Sequence, residues 1–291
     1  MKDKCCESPK VKRLHPMDDF GITKISLNAI RIDRLEDRVV PRVPFPHKHA
    51  FYQFIIFTQG AGNHQIDFKD FKVVKNHLFL LKPGQIHNWK LKNAKGYVVE
   101  FNQDSFSTKS QDFPDLIHHI HFTPDSFVQK NQDDFQRLRT VCELMYRESR
   151  LEGELFDVSL KGYLTGFLIE IIRQTETIKG NLSKTHLIER FNNLVEANYK
   201  TQHRVEFYAQ ELKLSPKAFT MQLTRILGKS PRDVIQERIL LEAKRYLAYS
   251  NLSIAEIGYE LGFDDANYFS RFYRLHEKTT PAKFRSSATT A

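Results

Sequence analysis

Two spacings of apolar residues divide the chain. From about Ile22 to Phe101 they fall in short runs: Phe51-Tyr52-Gln53-Phe54-Ile55-Ile56-Phe57, His64-Gln65-Ile66-Asp67-Phe68, Leu78-Phe79-Leu80-Leu81, and Gly96 to Phe101. These runs are rich in aromatic and β-branched residues. Gln59-Gly60-Ala61-Gly62-Asn63, Lys69-Asp70 and Pro83-Gly84 lie between them and read as turns. Short strands at this spacing predict a small barrel or sandwich. Beyond residue 130 the period becomes helical. Phe135, Leu138, Val141, Cys142 and Met145 recur at three and four within 132–149. A second helix is predicted over 154–177, with Leu155, Val158, Leu164, Phe167, Leu168, Ile171 and Ile172 on a wide apolar stripe. Such a stripe packs on its own barrel or against another subunit. Thr177-Ile178-Lys179-Gly180-Asn181 reads as a linker.

From Lys184 onward the pattern is helical throughout. It predicts helices over 184–199, 205–212, 216–227 and 232–249, then a short helix capped by Ser253. A last helix, capped by Asp264 or Asp265, runs to about His276. Gly228 ends one helix, and Ser230-Pro231 opens the next with a cap and a proline at its first position.

This helical part repeats itself. Val205, Ala209, Leu212 and Leu214 match Ile254, Gly258, Leu261 and Phe263 at an offset of 49 residues. Past the turn, Phe219, Leu223 and Pro231 match Phe269, Tyr273 and Pro281 at an offset of 50. Each unit is a short helix, a tight turn and a second helix, and a small residue (Ala209, Gly258) lets the two helices approach. This is the form of a helix-turn-helix, whose second helix enters the DNA major groove. The connector 232–249 spans roughly 27 Å at 1.5 Å per residue. Successive major grooves on one DNA face lie about 34 Å apart, so a rigid connector of this size suits two recognition helices in adjacent grooves. With Phe219, Leu223, Ile226 and Leu227 inward, Lys217, Thr220, Met221, Thr224 and Arg225 face the groove. With Phe269, Phe272 and Tyr273 inward, Ala266, Asn267, Ser270, Arg271 and Arg274 do. Asn pairs bidentately with adenine, Arg with guanine or phosphate, and Thr and Met meet thymine methyls.

Charge agrees with an anionic partner. The formal net charge is +9 over 291 residues. Residues 184–291 hold 17 Lys/Arg against 12 Asp/Glu, which gives this third of the chain roughly twice the charge density of the rest. No apolar run approaches the roughly 18 residues of a membrane span. The N-terminus lacks an apolar signal core, and three cysteines, with Cys5 and Cys6 adjacent, make no disulfide framework. A reduced, cytoplasmic protein is expected.

Ser253-Ile254-Ala255-Glu256-Ile257-Gly258-Tyr259-Glu260-Leu261-Gly262-Phe263, continuing through Asp264-Asp265-Ala266-Asn267-Tyr268-Phe269-Ser270-Arg271-Phe272-Tyr273-Arg274 to Thr280-Pro281-Ala282-Lys283-Phe284-Arg285, resembles the AraC/XylS family of transcription regulators. The resemblance covers about 185–285. Tyr273 and Arg274 are conservative departures, and Lys278 stands where the family usually has glycine. Lys217 and Met221 differ from the residues common in relatives, so no base preference transfers. The resemblance implies promoter binding, commonly as a homodimer, and transcription activation by contact with RNA polymerase. It also implies a cupin-like effector domain, and His47-Lys48-His49, Gln53, Gly60 and Pro83-Gly84-Gln85-Ile86-His87 fall at cupin-like spacing. Metal cupins bind their ion through two His, a Glu and a third His. Here the Glu position is Gln53, and a neutral amide is a poor substitute for an anionic ligand. His47, His49, Gln53 and His87 are therefore read as structural or as lining a pocket for an unknown small-molecule effector, with no metal and no cofactor. His118-His119-His121 reads as surface. No Ser-His-Asp set, phosphate loop or carboxylate pair marks an enzyme. The alternative is a metal-dependent cupin enzyme fused to a DNA-binding domain.

The expected class is therefore α+β. A flexible 1–20 precedes a cupin-like effector and dimerisation domain over 21–178. A linker over 179–184 leads to an all-α double helix-turn-helix domain over 185–285, and 286–291 form a tail.

Overall fold

The computed structural model describes residues 30–38, 46–102, 116, 125–151, 155–174 and 182–290. The expectations for residues 1–20, Cys5, Cys6, His118-His119-His121 and 177–181 lie outside the described residues. The chain divides into one unit ending at Asn181 and another beginning at Leu182.

The first unit holds β1 (Ile30–Arg34), β2 (His47–Lys48), β3 (Tyr52–Ile66), β4 (Lys69–Val73), β5 (His77–Leu81), β6 (Ile86–Phe101), β7 (Ser126–Val128), α1 (Gln132–Glu148) and α2 (Phe156–Gln174). The strands form a seven-stranded sheet in the order β1-β6-β3-β5-β7, with β2 on β6 and β4 on β3. Every pairing is antiparallel. Both faces are buried, which explains the unbroken runs Phe54–Phe57 and Leu78–Leu81. One face carries Tyr52, Phe54, Ile56, Leu80, Val99 and Phe101 and packs against Leu138, Met145, Leu164 and Phe167 of the two helices. The other carries Ile55, Phe57, Ile66, Phe79, Leu81 and Val98 and closes on itself as an inner core.

Three expectations change here. Gln59–Asn63 is not a turn. β3 runs through it, with register shifts near Gln59, so two expected strands are one. The register shifts lie on either side of Gln59, and at Gly62, with φ +134°, a Cβ would overlap the Lys90 carbonyl oxygen of the facing strand, so glycine there answers to a close backbone approach. The tight turn is at Asp67-Phe68, with Asp67 at φ 52°, and Lys69-Asp70 already belongs to β4. On the second helix, Leu164, Phe167, Leu168, Ile171 and Ile172 are buried, but Leu155 and Val158 are 74% and 68% exposed.

The second unit holds α3 (Leu182–Asn198), α4 (Val205–Glu211), α5 (Pro216–Leu227), α6 (Pro231–Tyr249), α7 (Ile254–Glu260), α8 (Ala266–Glu277) and α9 (Pro281–Thr290). Thus α3 starts within the stretch read as a linker, and α9 runs on into the stretch read as a tail. The starts are capped by side chains. Ser215 accepts from Ala218 N–H, and Ser230 and Ser253 form capping boxes with Asp233 and Glu256. Asp265, not Asp264, caps α8.

Candidate nucleic-acid interface and ligand site

The repeat in sequence is a repeat in backbone. In the first motif Leu214 N–H donates to Ala209 O at 2.9 Å, and in the second Phe263 N–H donates to Gly258 O at 3.0 Å. This six-to-one bond closes the first helix of each motif around a left-handed residue, Lys213 at φ 58° and Gly262 at φ 78°. The second helices end alike, on Gly228 at φ 71° and Lys278 at φ 57°. Lys278 therefore makes the turn that the family builds with glycine. Ala209 and Gly258 are buried, and a Cβ on Gly258 would stand 3.1 Å from Phe269 Cβ. The expected close approach of the helices is present.

On α5, Phe219 and Leu223 are buried, Ile226 and Leu227 half-buried. Lys217, Met221, Thr224 and Arg225 are exposed and Thr220 is half-buried. On α8, Phe269 and Tyr273 are buried and Phe272 half-buried. Asn267, Arg271 and Arg274 are exposed, with Ala266 and Ser270 half-buried beside them. Arg271 lies 3.9 Å from the Asp265 carboxylate, and both are exposed, so its guanidinium is loosely held. Gln222 and Tyr268 share these exposed surfaces and were not singled out from sequence.

Two anchorages hold the motifs together. Along α6, Arg238 bonds Glu196 of α3 and Glu242 at 2.9 Å each and lies 3.9 Å over the Tyr199 ring. Arg245 reaches Glu242 at 3.1 Å, and Lys244 pairs with Glu277 of α8 at 2.6 Å. Arg285 of α9 donates to the Leu252 carbonyl at 2.7 Å, which pins the loop after α6. The second anchorage is direct. Gly262, in the turn of the second motif, lies against the Lys200 carbonyl just past the end of α3, and Phe263 packs at a tilt on His203 with ring centroids 4.9 Å apart.

The inner face of the first unit carries the other predicted group. His47, His49, Gln53 and His87 are all buried, and the structure adds His64 and Glu100. Pairing of β2 with β6 sets His47 opposite His87, and their rings are 4.2 Å apart. Gln53 is opposite Glu100 across β3 and β6, and its amide donates to the carboxylate at 2.7 Å. His64 and His87 share a ring-nitrogen hydrogen bond of 3.1 Å. Trp89 faces both rings. Burial pulls His49 down to about 4 and His64 to about 3, so these imidazoles are neutral at pH 7. Burial alone would raise Glu100, but the Arg38 guanidinium at 2.8 Å and the Gln53 amide outweigh it and keep the carboxylate charged. His64 escaped the sequence reading because it lies on a strand after a glycine bulge, where alternation gives no face. Glu100 lies 47 residues from its partner, and only the strand register joins them.

Among the described residues no group of three or more His, Cys, Asp or Glu side chains is placed to hold a metal ion. The Gln53 amide, at the Glu position of the cupin pattern, is engaged with Glu100. No described helix is long and apolar enough to cross a membrane.

Two family matches fit this architecture. The AraC-like ligand binding domain matches residues 32–160 and the helix-turn-helix domain matches residues 208–287. The HTH-type transcriptional activator RhaS of Salmonella schwarzengrund is 22% identical over 289 residues, covering 94% of this chain and 96% of that protein. RhaS of Salmonella typhimurium matches over the same shares at 22% identity. Among solved structures, ToxT from Vibrio cholerae is 17% identical with a TM-score of 0.42, covering 89% of this chain and 97% of that one. The C-terminal domain of the response regulator yesN from Fusobacterium nucleatum is 25% identical with a TM-score of 0.33, covering 34% of this chain and 98% of that one.

Proposed function

We propose that this chain, which belongs to the AraC/XylS family of transcription regulators, is a cytoplasmic activator that reads promoter DNA through both α5 and α8 and answers to a small molecule held on the inner barrel face. The observation that carries the reading is the pair of matched motifs on one ion-paired connector. Lys217, Thr220, Met221, Thr224 and Arg225 would line one groove, and Ala266, Asn267, Ser270, Arg271 and Arg274 the next. His47, His49, Gln53 and His87 would contact the effector. Homodimerisation and contact with RNA polymerase complete the proposed activation step. A ligand can act only by binding one of two states better than the other, so the effector must change operator affinity or polymerase contact.

The test is a gel-shift titration of the full chain on operator fragments obtained by genome-wide mapping of bound sites. Asn267→Ala and Arg271→Ala should each weaken specific binding by about 1–3 kcal/mol, and affinity should fall steeply with salt. Unchanged operator affinity in both variants would remove α8 from the groove.

A further inference from the structure

A basic surface lies on the outer side of the ribbon formed by β4, β3 and β6. The register sets Lys72 of β4 and Lys90 of β6 on either side of Asn63 of β3, and all three side chains are exposed. The alternate residues Phe71, Trp89 and Leu91 point the other way and pack on the inner core. Lys92, opposite Ala61, and Lys95, opposite Gln59, continue the exposed row along β6. Residues 58–96 hold seven lysines against two aspartates, a net +5, while the rest of residues 1–183 hold 20 Lys/Arg against 21 Asp/Glu, a net −1. The positive charge of this part of the chain is therefore gathered on one ribbon.

These lysines are also unpaired. Among the described residues Lys72, Lys90, Lys92 and Lys95 have no carboxylate within ion-pair reach. Arginines of the same unit are engaged, Arg31 and Arg38 with Asp33, Arg34 with Glu143 and Arg173 with Glu170. The carboxylate of the ribbon face, Asp70, is held by the Gln65 amide at 3.0 Å. Charges guard open sheet edges, and both edges here are open: β4 pairs only with β3, and β6 has β3 as its one partner over 88–95. That task is served by charge of either sign, and ordinary surfaces mix the two. A row of one sign on adjoining strands calls for a polyanion.

We infer that this ribbon face binds the phosphate backbone of duplex DNA beside the stretch met by α5 and α8. The inference rests on the reading of the second unit as DNA-binding. Lysine, with exposed Asn and Gln beside it, is the side-chain set that contacts phosphates. Lys90 and Lys92 stand about 6.6 Å apart along their strand, and Lys72 lies about 10 Å from Lys90 across the ribbon. Duplex DNA carries one charge per ~1.7 Å of its axis, so several phosphates fall within that span. A duplex held by one part of a chain is at high effective concentration for a surface elsewhere on it, so weak contacts suffice. They add affinity without sequence preference. No exposed aromatic side chain stands among the lysines, as a membrane-binding face would present.

The probe is a fluorescein-labelled duplex of arbitrary sequence, about four helical turns long, titrated with the full chain by anisotropy at several salt concentrations. Lys72→Gln, Lys90→Gln and Lys92→Gln together should lower the slope of log affinity against log salt by about two to three, at about 0.9 per phosphate lost. Affinity at low salt should fall at least about tenfold. The matched loss of three charges elsewhere in the unit, Lys130→Gln, Arg139→Gln and Lys161→Gln together, should leave the slope unchanged. Trp89, the chain's one tryptophan, checks by its urea midpoint that the first unit of each variant is folded. Should the triple variant fail to fold, Asp70→Asn, expected to tighten binding, and Lys95→Gln, expected to weaken it, decide in its place. A slope that the ribbon variant leaves unchanged, or that the control lowers equally, would overturn the inference and leave the DNA-binding reading intact. So would lysine-dependent binding to phosphatidylserine vesicles with an unaltered slope on DNA. No binding of the duplex by the unmodified chain would overturn both.

Discussion

Replacing Gly262 with alanine tests how the second motif is seated. The substitution has two separable effects. A left-handed conformation costs a residue with a Cβ roughly 1–2 kcal/mol. At the matching position of the first motif Lys213 bears that cost at φ 58°, so conformation alone is tolerable in this turn. The second effect belongs to Gly262. The new Cβ would overlap the Lys200 carbonyl oxygen, which is backbone just past the end of α3 and cannot rotate aside. Overpacking of this kind costs about 1–3 kcal/mol, so the total is roughly 2–5 kcal/mol. Two probes divide the chain: Trp89 reports on the first unit, and the dichroism at 222 nm comes mostly from the helices of the second. In urea, with a slope of about 1–3 kcal/mol per molar, the dichroism midpoint should fall by about 1–3 M while the Trp89 midpoint stays put. A fall equivalent to less than about 0.5 kcal/mol would refute the seat, because even the conformational part exceeds that.

Lys278→Gly should raise the same dichroism midpoint, by about 1 kcal/mol, since it relieves the left-handed lysine at the end of α8; a loss of stability would mean that the Lys278 Nζ bond to the Leu275 carbonyl matters more than the backbone. Arg238→Met should destabilise the second unit by about 3 kcal/mol, because Glu242 would remain largely buried with Arg245 as its remaining cation, and an unchanged melting curve would show the network to be dispensable. The first unit should weaken in acid. The unfolded chain protonates His49 and His64 near 6.5, whereas burial holds them at about 4 and about 3 in the fold. Stability present above pH 6.5 is therefore lost as pH falls, by roughly 2 kcal/mol for each at pH 5. Urea midpoints by Trp89 emission at pH 7.5 and 5 check this, and His64→Phe should lose less; an equal loss in that variant would assign the acid sensitivity to other groups.

The helical half was legible because its signals are local. Capping serines, Pro231 at a first helical position and the period of Phe219, Leu223, Phe269 and Tyr273 lie within a few residues of what they determine. The recurrence at offsets of 49 and 50 then joined the pieces. The barrel was less legible. Glycine at 60 and 62 signals a turn and a bulge equally well, and only the partner strand decides between them. Asp67 makes the turn because the β3–β4 register places it there, while Lys69-Asp70 has the more turn-like composition. The exposure of Leu155 and Val158 shows the limit of a helical stripe, which gives a face without saying how far cover extends. The His47, His49 and His87 spacing picked out side chains that are buried together on the inner face, but Glu100, Arg38 and His64 join them by strand pairing and long-range charge, which no local pattern carries.

The two motifs share a backbone and differ where their neighbours differ, and this separates the causes of their glycines. A left-handed residue closes the first helix of both, so the turn alone does not require glycine there: Lys213 suffices where nothing presses on it. Glycine appears at 262 because Lys200 presses on it. Conversely Gly228 gives way to Lys278 at the end of the second motif, where the side chain bonds its own helix end. The second motif is therefore held at separate points, by the α6 ion pairs and the Arg285 strut on one side and by the Gly262 seat on the other. With both in place the spacing of α5 and α8 has little freedom to adapt to DNA. On the proposed DNA-reading role, differences in operator preference within this architecture would arise from the exposed side chains, and Met221 and Asn267, one apolar and one able to pair bidentately, would be the least interchangeable of them.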